Sequence, residues 1–507
     1  MANEEKIKGT DDTQLHRGIK ARQLGMIAIG GAIGTGLWFA SGGAISQSGP
    51  GGAMVAFGLM GIIVFFMMSS LGEMATQLPL TGSFEAYANR FIDPAFGFAV
   101  GWNYWFSWAI TVAAEFVAAG LIVKYWWPDI PVTYVAMAAF ILLMALNLIS
   151  TKSFAEAEYW FAGIKVVTII IFLIVGFAMI LGIMGGHAVG FQNWVLDGGD
   201  AGKAPFVGGF GAIMAVFLIA GFSFQGTEIV GLAAAETENP QKNVPKAIRS
   251  VFWRIVLFYL GSIFVVGTLI PFTSPDILGG GVTNVAASPM TLVFKNAGFA
   301  AAASVMNAVI LTSVLSCGNS GLYTASRMLH AMAIRGSAPK FFSTVSKNGV
   351  PIYAVWATGL IAALSFFASI IGEGKIYMIF YNASGISGFI IWLGIAICHY
   401  RFRRAWVAQG HSVSELKYQS KFYPFGPIFA MVTITFVILF CNIWVFQGDT
   451  FSWFDFISNY ILIPVTPLLY LGYKYIKKTK IVPLKECDFT MPLEDPIFGD
   501  DKADLAK

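Results

Sequence analysis

The sequence predicts an all-α polytopic membrane protein of twelve transmembrane helices, two inverted repeats of five plus two C-terminal helices, with the first and sixth broken. Three observations carry that expectation. The 507 residues are 56% hydrophobic and only 12% charged, about half the charged share of a soluble domain. Apolar runs long enough to cross a bilayer recur along the chain. Two of those runs, five apart, are interrupted by glycines and hydroxyls where continuous aliphatic side chains would be normal.

The apolar runs cover residues 24–48, 52–78, 95–126, 131–149, 157–184, 206–236, 250–273, 291–325, 351–371, 376–399, 425–447 and 451–476. Their separators are short and rich in Gly, Pro and charge, as in Ser48-Gly49-Pro50-Gly51 and Trp127-Pro128-Asp129-Ile130-Pro131. An even number of crossings puts both termini on one side. Every Lys and Arg except Lys124, Lys165, Lys203, Lys295 and Lys375 falls on that side, so the positive-inside rule makes it the cytoplasm. The expected organisation is a cytoplasmic tail over 1–23, a transmembrane domain over 24–480 and a cytoplasmic tail, polar and irregular, over 481–507. Within the domain, 24–184 and 206–399 form the two repeats and 425–476 the two added helices. The chain is polar up to Gln23, so no cleavable leader precedes the first run, which is expected to direct insertion itself.

The net charge of +4 follows this topology, so the expected partner is the lipid bilayer and not nucleic acid. Four cysteines show neither metal spacing nor a disulfide framework. No P-loop pattern, hydrolytic triad or metal cluster is present. No cofactor is expected, and the chain does not read as an enzyme.

The two breaks are Gly30-Gly31-Ala32-Ile33-Gly34-Thr35-Gly36 and Gly221-Phe222-Ser223-Phe224-Gln225-Gly226-Thr227-Glu228. Glycine weakens helices, and an unwound turn at membrane depth is tolerated only where it faces protein or a water-filled cavity. It frees N–H and C=O groups, and the exposed helix N-terminus suits a carboxylate. Paired breaks in corresponding positions point to a transporter binding site; close helix packing is the alternative. Odd spacing reverses their orientation, as inverted repeats require.

Charges inside apolar runs cost at least ~2.5–3.5 kcal/mol on insertion scales. Glu228 directly follows the second break and is placed to meet an ammonium or exchange a proton. Glu236, eight residues on, reads as a gate or a loop ion-pair residue. Lys165, among Phe161, Ile164, Val166 and Val167, reads as a proton carrier or as a cation holding carbonyls freed in the first break. Glu115 reads as a site carboxylate, as a third candidate proton carrier beside Lys165 and Glu228, or as a buried acid bonded to a neighbouring helix. Lys246 and Arg254 read as topology signals. Tyr104 and Trp108, four apart, line a cavity or pack; Phe222 is placed to cap a small ligand. Ser313, Ser316, Asn319 and Ser320 form a polar stripe, either glue between helices or a cavity wall.

The run Met26–Gly36, the second break, and Asn239-Pro240 through Val244-Pro245-Lys246-Ala247 resemble the bacterial permeases of the amino acid–polyamine–organocation superfamily, over about Leu15 to Lys478. Within it, stretches such as Gly101-Trp102-Asn103-Tyr104-Trp105 and Glu156-Ala157-Glu158-Tyr159-Trp160-Phe161 look most like the members that carry lysine. The resemblance implies the inverted-repeat fold and uptake of L-lysine with protons across the inner membrane. It also implies that the backbone of Ile33, Gly34, Thr35 and Gly36 takes the substrate carboxylate. Carbonyls around Phe222 and Ser223 would take the α-ammonium, and Lys165 would replace the sodium ion of related symporters. Glu115 and Glu228 match acidic positions found also in relatives of uncharged substrates. Ala32 stands where a serine is familiar, which leaves the backbone chemistry intact. Other amino acid cargoes such as arginine, ornithine or histidine, a membrane sensor, and a channel are the rival readings.

Overall fold

The computed structural model describes residues 19–30, 33–186, 188–278, 288–298, 300–446 and 451–490. Gly31 and Ala32 of the first break, and the tail residues 1–18 and 491–507, lie outside them. The described chain is helical, with isolated bridges Ile19–Thr237 and Asp197–Lys203.

In order, the helices are α1 (Ala21–Gly30), α2 (Thr35–Trp38), α3 (Ala40–Gln77), α4 (Phe84–Phe91), α5 (Pro94–Val123), α6 (Val132–Ile149) and α7 (Thr151–Ile180). The next are α8 (Gly209–Phe224), α9 (Ile229–Ala233), α10 (Pro240–Trp253) and α11 (Gly261–Leu269), the last two joined by a π-helical turn, Arg254–Leu260. After α12 (Pro275–Leu278) and α13 (Pro289–Asn296) come α14 (Ala300–Ile334), α15 (Ile352–Ala362), α16 (Ala368–Ile371) and α17 (Glu373–Ala408). The chain closes with α18 (Phe425–Phe440), α19 (Trp453–Tyr460) and α20 (Leu462–Lys477).

Among the described residues, nine helical stretches are long and apolar enough to cross a membrane. The difference from twelve has local causes. The first run is divided into α1, α2 and the start of α3. Gly49, with φ +73°, then turns the chain before Pro50, so the first and second runs join as one kinked α3. Only glycine takes that φ without strain, and a Cβ there would stand 2.5 Å from the Pro205 carbonyl oxygen. The last two runs yield the shorter α18, α19 and α20.

The centre of the bundle is α5, nearly all buried, with α14 and α17 packed along it. Asp93 caps its N-terminus by accepting from the Ala95 amide at 2.8 Å. Burial alone would push the Asp93 carboxyl up, but bonds from Lys474, Thr479 and Ala95 hold it below the usual carboxylate range.

Residues 481–490, expected to be irregular, are bound to the helix ends. The Val482 amide donates to Ile92 O at 2.9 Å, and Arg401 donates to the carbonyls of Phe91 and Val482. Phe489 sits between Phe91, Phe402 and Trp406, with ring centroids 5.2, 5.4 and 5.0 Å away. Packing of the half-buried Phe489 ring in this cluster holds the stretch against the bundle.

Candidate functional site

The two breaks meet. A Cβ on Gly36 would lie 2.6 Å from Cα of Ser223, so α2 and the end of α8 touch backbone to backbone. Around this contact Gly34, Gly36, Trp108, Thr111, Glu115, Phe222, Gln225 and Cys317 line a cavity of about 10 Å³. That is the room of one water, well short of the hundreds of Å³ of an open ligand site. The site is therefore closed. Phe222 packs against Tyr381 of α17, with ring centroids 4.2 Å apart and planes tilted by 44°.

The first break is held from several sides. Ser313 donates to Ile33 O at 2.9 Å and accepts from the Trp38 indole at 2.7 Å. Thr35 donates through its hydroxyl to Glu115 Oε1 at 3.1 Å, and its amide does so at 3.5 Å. Glu115 Oε2 has no hydrogen-bond partner among the described residues. A Cβ on Gly34 would meet Glu115 Oε1 at 2.7 Å and Cys317 Sγ at 2.8 Å, so this glycine is required by packing as well as by any ligand. Lys165, fully buried, donates to Gly30 O at 3.1 Å, capping the last turn of α1.

The second break is shaped by its own carboxylate. Glu228 accepts from the Gly226 amide at 3.2 and 3.1 Å, from the Trp392 indole at 3.2 Å and from the Tyr104 hydroxyl at 3.5 Å. Tyr104 thus serves Glu228 and does not line the cavity, whereas Trp108 does. The Ser223 hydroxyl donates to Ile219 O, and its carbonyl accepts from Tyr259 at 2.7 Å. Gln225 donates to Ser107 at 2.7 Å and accepts from Ser384 at 2.9 Å, tying the break to α5 and α17.

Arg254 corrects the topology reading. It is 1% exposed, donates to Ala28 O at 2.6 Å and to the Thr227 hydroxyl, and so bridges both broken segments. Its position opens the π-helical turn, and such turns mark functional positions. Glu236 lies away from the cavity, 3.9 Å from Arg327 of α14, both buried. There the Ile19 amide donates to Glu236 O and the Glu238 amide to Ile19 O, each at 3.2 Å, strapping the chain before α1 to the chain after α9.

Sequence reasoning passed over Glu158, Thr111, Gln225 and Cys317. Glu158 had a usable signal, since it precedes Lys165 by seven residues and shares its helical face. Thr111 and Gln225 are ordinary polar residues until α5, α8 and α17 are assembled.

A family model described as amino acid permease matches residues 23–486. The lysine-specific permease LysP of Escherichia coli (strain K12) is 49% identical over 484 residues, covering 95% of this chain and 98% of that protein. LysP of Lactococcus lactis subsp. cremoris (strain MG1363) is 49% identical over 493 residues, covering 96% and 95%. The histidine permease HisP of the same Lactococcus strain is 46% identical over 480 residues, covering 95% and 99%.

Proposed function

The chain belongs to the amino acid permease family, a transporter and not an enzyme, and from that premise we propose that it imports L-lysine together with protons. In this reading twelve crossings form two inverted five-helix repeats plus two, with both termini in the cytoplasm of a bacterium and the domain boundaries given above. The observation that carries it is the meeting of both breaks at one closed cavity, beside a buried carboxylate, Glu115, with an oxygen left over. Lysine as cargo is supported by near-full-length likeness to two lysine-specific permeases.

The substrate carboxylate is assigned to the backbone of Ile33, Gly34, Thr35 and Gly36, and the α-ammonium to carbonyls near Phe222 and Ser223. Glu115 and Glu228 supply negative charge, with Trp108 and Tyr104 behind them. Filling the cavity requires Phe222 to leave Tyr381, which makes it the gate on the cavity side. Glu236 with Arg327 closes the terminal side. Lys165 couples the proton because its ammonium donates to Gly30 O, and its neutral amine, a donor without the charge, would hold that end of α1 more weakly. Rocking of the broken segments then exposes the site to each side in turn.

The deciding experiment is uptake of radiolabelled lysine into proteoliposomes under an inward proton gradient, with arginine, ornithine, histidine and phenylalanine as competitors. Accumulation abolished by a protonophore and competed only by lysine supports the reading. Competition by histidine would favour the second cargo that HisP suggests, and indifference to the gradient would mean exchange.

Two variants test the charges. Glu228→Gln places an amide donor where the Gly226 and Trp392 N–H groups need acceptors, and hydrogen bonds to a charged group are worth ~1.5–3 kcal/mol. Uptake should fall by roughly tenfold to a hundredfold; near-normal rates would remove Glu228 from the site. Lys165→Ala should keep lysine-for-lysine exchange while losing gradient-driven accumulation. Retained accumulation would end its coupling role.

A further inference from the structure

One buried carboxylate has no part in the reading above. Glu158 of α7 is fully buried, and both its oxygens accept from Ser316 of α14, at 2.8 and 2.9 Å, with no cation in bonding contact among the described residues. Ser316 adjoins Cys317, which lines the cavity. Glu158 precedes Lys165 by seven residues on the same face of α7. Lys165 and Cys317 are the titratable groups that act on Glu158 from its own helix and from α14.

We propose that Glu158 is the proton-relay residue between Lys165 and the side of the membrane that carries the termini. The proposal rests on the reading of Lys165 as proton carrier and extends it. Seven residues of helix separate the two by about 10 Å along the axis, and the Lys165 ammonium bonds the carbonyl of Gly30, a residue that lies against Ala162, nearly one turn closer to Glu158. One intervening water or a rotamer change completes the reach. On transfer an N–H bond of the Lys165 ammonium breaks and an O–H bond forms on Glu158, leaving a neutral amine and a carboxylic acid. Two separate opposite charges become two neutral groups, so no net charge is created in the membrane interior, where an isolated charge is most costly. When the Glu236–Arg327 contact parts, the O–H bond breaks in turn, water takes the proton, and the carboxylate returns to Ser316.

The test uses the full chain in proteoliposomes. For Glu158→Gln, lysine-for-lysine exchange should stay within about twofold of the unsubstituted protein, because exchange needs no net proton movement. Gradient-driven accumulation should drop at least tenfold, and its dependence on internal pH should flatten. Glu158→Asp, which keeps the carboxyl on a stem one methylene shorter, should accumulate lysine faster than Glu158→Gln but several-fold slower than the unsubstituted protein, with exchange intact. Accumulation at the normal level in Glu158→Gln, or equal losses of exchange and accumulation, would overturn the relay. Should Glu158→Gln fail to fold, Glu158→Asp carries the test: slowed accumulation with intact exchange supports the relay, and equal losses or no change overturn it. Accumulation lost in Lys165→Ala but intact in Glu158→Gln would retire the relay alone. Accumulation intact in Lys165→Ala would retire the Lys165 reading itself, and the relay with it.

Discussion

Lysine uptake by a Gly36→Ala variant is expected to fall by about tenfold or more. The added methyl would stand 2.6 Å from Cα and 2.7 Å from Oγ of Ser223. Backbone cannot rotate away as the tip of a flexible side chain can, so α2 and α8 must separate where the cavity is built. Overpacking of this kind costs ~1–3 kcal/mol, and each 1.4 kcal/mol is tenfold in binding. Gly58→Ala is the matched control, since α3 leaves its methyl nothing within 4 Å. Radiolabelled uptake at equal expression decides the matter, and equal rates for the two variants would mean that the breaks do not need their close approach.

Arg254→Ala should cost more, and in stability as well as rate. The guanidinium holds the Ala28 carbonyl and the Thr227 hydroxyl. Removing it leaves the buried Ala28 carbonyl and Thr227 hydroxyl without their shared donor, and each buried group so orphaned costs ~1–3 kcal/mol. Uptake should drop to background and the Tm of the purified protein should fall clearly. Arg254→Lys, which keeps the charge but lacks the fork to span two acceptors, should recover only part. An unchanged Tm in Arg254→Ala would contradict the bridging role.

The breaks were legible because lipid favours continuous aliphatic side chains, so glycines and hydroxyls clustered inside an apolar run mark backbone that faces protein or water. Glu115, Lys165 and Glu228 were legible for a related reason, each being a charge in a run that makes charge costly. Arg254 was not, since a cation near the end of an apolar run satisfies the topology rule equally well, and only the arrival of Ala28 from α1 reveals its partner. Glu73 makes the same point over a longer range. It sits near the end of α3, and its bonds to Arg403 at 2.6 Å and to the Ser420 amide at 2.6 Å cross more than three hundred residues. No periodicity within one helix encodes such a pair. The turn at Gly49 was legible as the separator between two helices, because its glycine and proline mark the non-helical backbone at which the two meet.

The bound stretch around Val482 and Phe489 bears on how the molecule is assembled. Multi-helix chains form in step with synthesis, N-terminal parts first. Phe91 and Phe402 therefore reach their places while the segment that covers them is still being made, and the Phe91 carbonyl and Arg401 wait with it. Completion of this end of the bundle is deferred until the stretch around Val482 and Phe489 has been made, so the packing of Phe91 and Phe402 depends on residues far along the chain.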